Sequence, residues 1–240
     1  MTNKIFQDKI DEMFGETLIV HYKNTRIEFA RKVVGREGYD VCMRVLDSND
    51  LQRPTTKQIL LLLQHLYRNK KEKFYSDFLN ELQGETIFCG TENLYCSEGV
   101  IVFDNVDGKM PNTKKELLRR MREGDKAIRM INWGFKTSSS GLENVLKNPY
   151  VLAQVGSEDM LEVLHELYLQ QPKAMFGLLS RNPLHVRTLE RPIGEGRLYE
   201  PRTETSLDFG ANANFLNIYS CGGCCPRGGN VPIIKSISNS

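Results

Sequence analysis

Residues 74–103 read FYSDFLNELQGETIFCGTENLYCSEGVIVF. Tyr75, Leu79 and Leu82 recur at helical spacing, so the stretch opens with an amphipathic helix over Phe74–Leu82. Gly84 ends that helix, because a glycine accepts the left-handed backbone of a helix terminus without cost. Thr86-Ile-Phe-Cys89 and Val100-Ile-Val-Phe103 then read as strands, rich in β-branched and aromatic residues. Two strands follow one another with no helix between them. Strands in small groups between helices, without a βαβ alternation, place the fold in the α+β class.

Working upstream, Pro54 and Thr55 open a helix whose body is Lys57–Arg68. Leu60, Leu63, Leu66 and Tyr67 form its stripe, and Leu61 and Leu62 widen it, so this helix is expected to be largely buried. Three strands are expected before it, at Thr17–Val20, Thr25–Phe29 and Tyr39–Leu46. The first segment, with Ile5, Phe6, Ile10, Met13 and Phe14, reads as a helix closed by Gly15. Laying Lys4–Val20 over Lys73–Cys89 matches Lys4/Lys73, Asp8/Asp77, Glu12/Glu81, Gly15/Gly84, Glu16/Glu85 and Thr17/Thr86 without a gap. That points to a helix–Gly–strand unit used twice, or to two independent uses of one turn.

Downstream, Asp104–Asn112 (DNVDGKMPN) is the best internal boundary, with Asp-Gly and Pro both present. It suggests a lobe over 1–108 and a second α+β lobe over 109–240. Thr113-Lys-Lys-Glu116 and Ser140-Gly-Leu-Glu143 are capping boxes, the first opening a helix over Lys114–Glu123 and the second a short helix ending at Lys147. Ala127–Trp133, Pro149–Val155 and Ala174–Leu179 read as strands, and Ser157 caps a helix over Glu158–Gln170. Arg191–Thr205 is polar and turn-rich, Leu207–Ser220 suits short strands, Cys221–Asn230 is a loop, and Lys235–Ser240 looks like a frayed tail.

The chain has 240 residues, 32 basic against 30 acidic, with 40% hydrophobic residues. This balance excludes disordered, collagen-like and disulfide-miniprotein classes. The longest strongly apolar run, Ile59–Leu63, is far short of the roughly 20 residues a spanning helix needs. With neither a signal-like h-region nor a lipidation motif, the expected setting is the cytoplasm, without a membrane partner. Three stretches, Glu98–Asn105 (EGVIVFDN), Ile128–Thr137 (IRMINWGFKT) and Lys147–Leu164 (KNPYVLAQVGSEDMLEVL), resemble a group of archaeal hypothetical proteins across residues 54–180. The resemblance implies an archaeal, intracellular setting and carries no activity with it.

No phosphate-binding glycine loop, HExxH or GxSxG occurs. Glu162-x-x-His165 is half of what a carboxylate-bridged di-iron site needs and reads as a surface pair. Two patterns are candidates for chemistry. Cys221-Gly-Gly-Cys224 has the spacing of a metal knuckle, and Cys89 and Cys96 would be the second pair of a tetrahedral zinc site. The same thiols also read as a redox or regulatory dithiol, or as ordinary free cysteines. Lys115, Arg119, Arg122 and Lys126 fall at i, i+4, i+7 and i+11, and Arg129 continues the charge. Such a stripe fits nucleic-acid phosphates, with Trp133 and Phe135 near enough to stack bases, or it is a solvated helix face. With no catalytic set in the sequence, the expectation is a binding or interaction protein. A nucleic-acid binder and a metal- or thiol-dependent protein are the alternatives.

Overall fold

The structure is a computed structural model. It describes residues 15–82, 86–111, 113–135, 138–140, 142–170, 184–187, 202–209, 216–221 and 229–239. These residues form an α+β fold in which ten strands make one mixed, mainly antiparallel sheet. The strands are β1 (Thr17–Tyr22), β2 (Thr25–Glu37), β3 (Thr86–Tyr95), β4 (Gly99–Asp104), β5 (Ile128–Asn132), β6 (Ser138–Ser140), β7 (Leu184–Arg187), β8 (Arg202–Phe209), β9 (Leu216–Cys221) and β10 (Gly229–Asn239). They run in the order β1-β2-β10-β3-β8-β9-β7-β6, and β4 joins β3 to β5.

Strand β3 has three neighbours, because two strands share one of its edges. β8 takes one edge from Thr86 to Leu94. On the other edge β10 pairs only with Thr86 and Ile87, and β4 takes over from Thr91 to Tyr95. Gly90 fills the gap: its N–H donates to Pro54 O at 2.7 Å and its carbonyl accepts from Asn105 N–H at 2.7 Å. A Cβ there would stand 2.7 Å from Arg53 Cβ, so only glycine lets the incoming chain approach this closely.

Helices cover both faces. They are α1 (Tyr39–Ser48), α2 (Thr56–Arg68), α3 (Lys73–Leu82), α4 (Lys114–Arg122), α5 (Leu142–Leu146), α6 (Pro149–Val155) and α7 (Asp159–Gln170). The main core lies under α2, α3, α6 and α7 and receives Leu18, Val20, Ile27, Phe29, Ile87, Cys89, Val102 and Ile234 from the sheet. On the opposite face, α1 covers Ala30, Phe88, Val231 and Ile233, and α4 covers Leu94, Cys96, Ile101, Phe103 and Ile128. The period of two along each strand splits neighbours such as Ile87 and Phe88 between the layers. Helix α2 is buried nearly all round, with Ile59 to Leu63 at 2% exposure or less. The Thr55–Gln58 capping box starts it.

Three expectations are corrected. Tyr39–Leu46 is not a strand but most of α1. Its β-branched Val41 and Val45 favour a strand, yet Cys42, Met43 and Leu46 lie at helical spacing and are the buried set. Pro149–Val155 is helix α6: the Asn148 side chain accepts from Tyr150 N–H, Pro149 occupies the first turn, and Gly156 closes it at φ 83°. Residues 235–239 are no tail, since β10 pairs with β2 as far as Asn239↔Thr25. Two caps also differ. Thr113 makes no side-chain cap bond, and Ser157 Oγ is buried without a partner.

Gly15 is left-handed (φ 75°) and leads into β1, and α3 precedes β3. The residues before Gly15, together with Gly84, Ala174–Leu179 and Cys224, lie outside the described residues. Past the turn-rich loop at 105–111 the same sheet continues, for β5 pairs with β4 and β10 lies between β2 and β3. Among the described residues no helix is long and apolar enough to cross a membrane.

Candidate ligand-binding cleft

Strands β1 and β2 are joined by a two-residue turn, Lys23-Asn24, closed by the Tyr22↔Thr25 pair. Lys23 holds φ at 52°, a left-handed backbone that a lysine seldom adopts. Its side chain donates a charge-assisted hydrogen bond to the Asp159 carboxylate at the start of α7. Asp159, Glu162, Val163 and Glu166 fall at i, i+3, i+4 and i+7, on one face of α7. On α2, Gln64 and Arg68 fall at i and i+4 at the margin of the leucine stripe. These three elements enclose a cleft of about 300 Å³, lined by His21, Tyr22, Lys23, Gln64, Arg68, Asp159, Glu162, Val163 and Glu166. That volume is at the small end of the range of ligand sites, roughly 300–1,000 Å³.

Most of the charge in the cleft is already paired. Arg68 grips Glu166 with both arms of its fork, Nε to Oε1 at 2.6 Å and Nη2 to Oε2 at 2.5 Å. Gln64 Nε2 adds a third bond to Glu166 Oε2 at 2.6 Å. The Arg68 bond holds the Glu166 carboxyl below its usual range, and Lys23 does the same for Asp159. What is left over is chemically specific. Glu162 is exposed and forms no ion pair among the described residues. Tyr22 Oη is buried and has no hydrogen-bond partner. Burial pushes the Tyr22 pKa up, so the phenol stays protonated and keeps a donor to offer. Behind the cleft His65 Nε2 is also buried and unpartnered, and burial, then Arg68 and His21, pushes its pKa down.

A second polar cluster is closed. Glu92 is buried on β3 at 4% exposure and accepts from Asn105 Nδ2 at 2.6 Å, with Tyr39 Oη at 3.4 Å and Arg53 Nη1 at 3.5 Å. Arg53 is gripped in turn by both oxygens of Asp47. This network pins the loop at 105–111 to the sheet.

The residues singled out in the sequence are dispersed. Cys89 and Cys96 are both buried but belong to cores on opposite faces of β3, each thiol near a carbonyl of its own strand. Burial pushes the Cys89 thiol up to about 12, which opposes the thiolate that zinc requires. Cys221 ends β9, paired with Glu204 of β8, which pairs with Glu92 of β3. Among the described residues no three His, Cys, Asp or Glu side chains gather as metal ligands. In the basic stripe Arg119 is neutralised twice, by Glu116 and Glu123. Arg129 leaves the stripe to bind Asp104 and the carbonyl of Ala153. Lys115, Arg122 and Lys126 remain exposed. Trp133 and Phe135 stack with each other at 5.7 Å and continue to Tyr95 and Tyr150, so these rings are used inside the protein.

Sequence reasoning reached Glu162 only as half of Glu162-x-x-His165. His165 is exposed and does not line the cleft. Lys23, Arg68 and Glu166 were missed. The signal available was the acidic face Asp159, Glu162, Glu166 opposite the apolar Met160, Leu164 and Leu167. No family model, curated protein or solved structure matches this chain.

Proposed function

We propose that this chain is a cytoplasmic binding protein that takes a small polar ligand in the cleft between the β1–β2 turn, α2 and α7. The observation that carries this reading is that one small cleft is lined both by Glu162, which has no ion pair, and by Tyr22, whose Oη is buried without a partner. A buried hydroxyl without a partner costs about 1–3 kcal/mol, a penalty that a ligand's hydrogen bond would remove. Ion pairs stand on either side of the cavity, Lys23 with Asp159 and Arg68 with Glu166. The test is a screen of chemically mixed fragments by amide chemical shifts. Fragments should move the amides of residues 21–23, 64–68 and 159–166, and a Gln64→Trp variant, whose indole fills the cleft, should abolish those shifts. Shifts confined to other surfaces, or unchanged in Gln64→Trp, refute the reading.

A further inference from the structure

The cleft is where a ladder of ion pairs lacks one rung. Helices α2 and α7 pack side by side. At one end Asp159 meets Lys23 and feels the charge of Lys57. At the other end Glu166 meets Arg68. Glu162 lies between them on the same face of α7, one turn from each. Between Lys57 and Arg68 on α2 stand Leu61 and Gln64. Leu61 is buried in the core, and Gln64 spends its amide on Glu166. No cation of the described residues therefore forms an ion pair with Glu162, although Lys23, held by Asp159, feels its charge. Counting the lining groups with His21 neutral, Lys23 and Arg68 oppose Asp159, Glu162 and Glu166, which leaves one net negative charge, and Glu162 is the carboxylate without an ion pair.

From this arrangement we infer that the ligand is a small organic cation with N–H donors, a primary ammonium or guanidinium on a short alkyl chain. It supplies the missing rung. This inference rests on the binding reading above. The cation donates to Glu162, while Tyr22 Oη donates to, or accepts from, a polar group beside it. Val163 and the Tyr22 ring give the alkyl chain an apolar wall. The ring already draws two cations, with Lys57 Nζ 5.3 Å and Lys23 Nζ 5.7 Å from its centroid. A divalent metal fits less well. Calcium takes six to eight oxygen ligands, and magnesium is usually held by one or two carboxylates together with substrate phosphates. Here Asp159 and Glu166 are committed to Lys23 and Arg68.

The experiment is an amide-shift titration of the whole chain with n-butylammonium, methylguanidinium, tetramethylammonium, butyrate and Mg²⁺ as separate arms. Butylammonium or methylguanidinium should saturate the amides around 21–23 and 159–166 with a Kd of about 1 mM or weaker, as ligands of this size allow. Tetramethylammonium, which has no N–H, should bind several-fold more weakly. Glu162→Gln should weaken binding about tenfold, a loss of about 1.4 kcal/mol. It should leave the melting temperature unchanged, because Glu162 is exposed and unpaired. Equal binding by Glu162→Gln, equal binding of butyrate, or saturation by Mg²⁺ at these amides overturns the inference. If neutral or anionic fragments occupy the cleft and the cations do not, the ligand class is wrong and the binding reading stands. If no probe of any charge moves these amides, both fall.

Discussion

Ile233 and Ile234 are adjacent on β10, and each is 1% exposed. One faces the core under α1 and the other the core under α2. Both layers of the fold can thus be probed by two single changes, Ile233→Ala and Ile234→Ala. Each removes the same buried methyl and methylene groups, and an isoleucine-to-alanine change in a core costs about 2–5 kcal/mol. The upper half of that range applies where the surroundings cannot collapse. That is the case for Ile234, because it belongs to the larger core, where Ile59 to Leu63 of α2 are all at 2% exposure or less. A frayed C-terminal segment predicts instead a change within about 0.5 kcal/mol. In a urea titration at 25 °C, with m near 3 kcal/mol/M, a 3 kcal/mol loss moves the midpoint by about 1 M. Loss in both variants, at unchanged m, is the expected result. A midpoint shift below about 0.2 M in either one refutes the placement of β10 between two layers. Removing residues 236–239, which are exposed, should cost far less than either substitution.

Three further outcomes are expected. Because the folded pKa of His65 lies below its unfolded value of about 6.5, stability is full above that pH and falls as pH drops through the window beneath it. Glu166, also depressed, adds a second loss as pH falls below about 4.3, kept to about 0–1 kcal/mol by its partial exposure. Melting curves from pH 8 to 5 should show the first slope, and His65→Gln should flatten it. A slope retained in that variant assigns the effect elsewhere. Glu92→Ala should cost about 1–3 kcal/mol, less than the 3–5 of a charge left wholly unpaired, because Asp47 still holds Arg53. Denaturant midpoints measure it, and a neutral result would show that the network is not closed. Cys42, Cys89 and Cys96 should not react with an aromatic disulfide reagent until the chain unfolds, since all three are buried. Rapid modification of Cys89 in the native protein would contradict its place in the core.

Local patterning carried the elements whose burial repeats within the segment itself. The leucine stripe of α2, its start at Pro54 and Thr55, the amphipathic α3, α4 and α7 and the apolar cores of β1, β3 and β4 were legible because the information lies within about a dozen residues. Residues 39–46 and 149–155 were not, since valine-rich runs satisfy both periods and only their surroundings decide. In the first, the sheet face formed by Ala30, Phe88, Val231 and Ile233 selects the helix by offering a surface for Cys42, Met43 and Leu46. In the second, the Asn148 cap and Gly156 were in plain view, and the apolar run outweighed them wrongly.

The sequence by itself determined the α+β class and most helices, because side-chain periodicity and capping act over one or two turns. It did not determine the partners of β10, which joins β2 and β3 across most of the chain. Nor did it determine the cleft. Arg68 and Glu166 are 98 residues apart, and Lys23 and Asp159 are 136 apart. An ion pair leaves no trace in local spacing, so only the packing of α7 against α2 brings those charges together and leaves Glu162 without one. The same physics takes Arg129 out of the basic stripe and pairs Arg119 within it, while Lys115, Arg122 and Lys126 stay exposed. Arg119 and Arg129 look equivalent in sequence, but Glu116 and Glu123 lie one turn from Arg119, whereas Arg129 finds Asp104 only when α4 ends and the chain enters β5 beside β4.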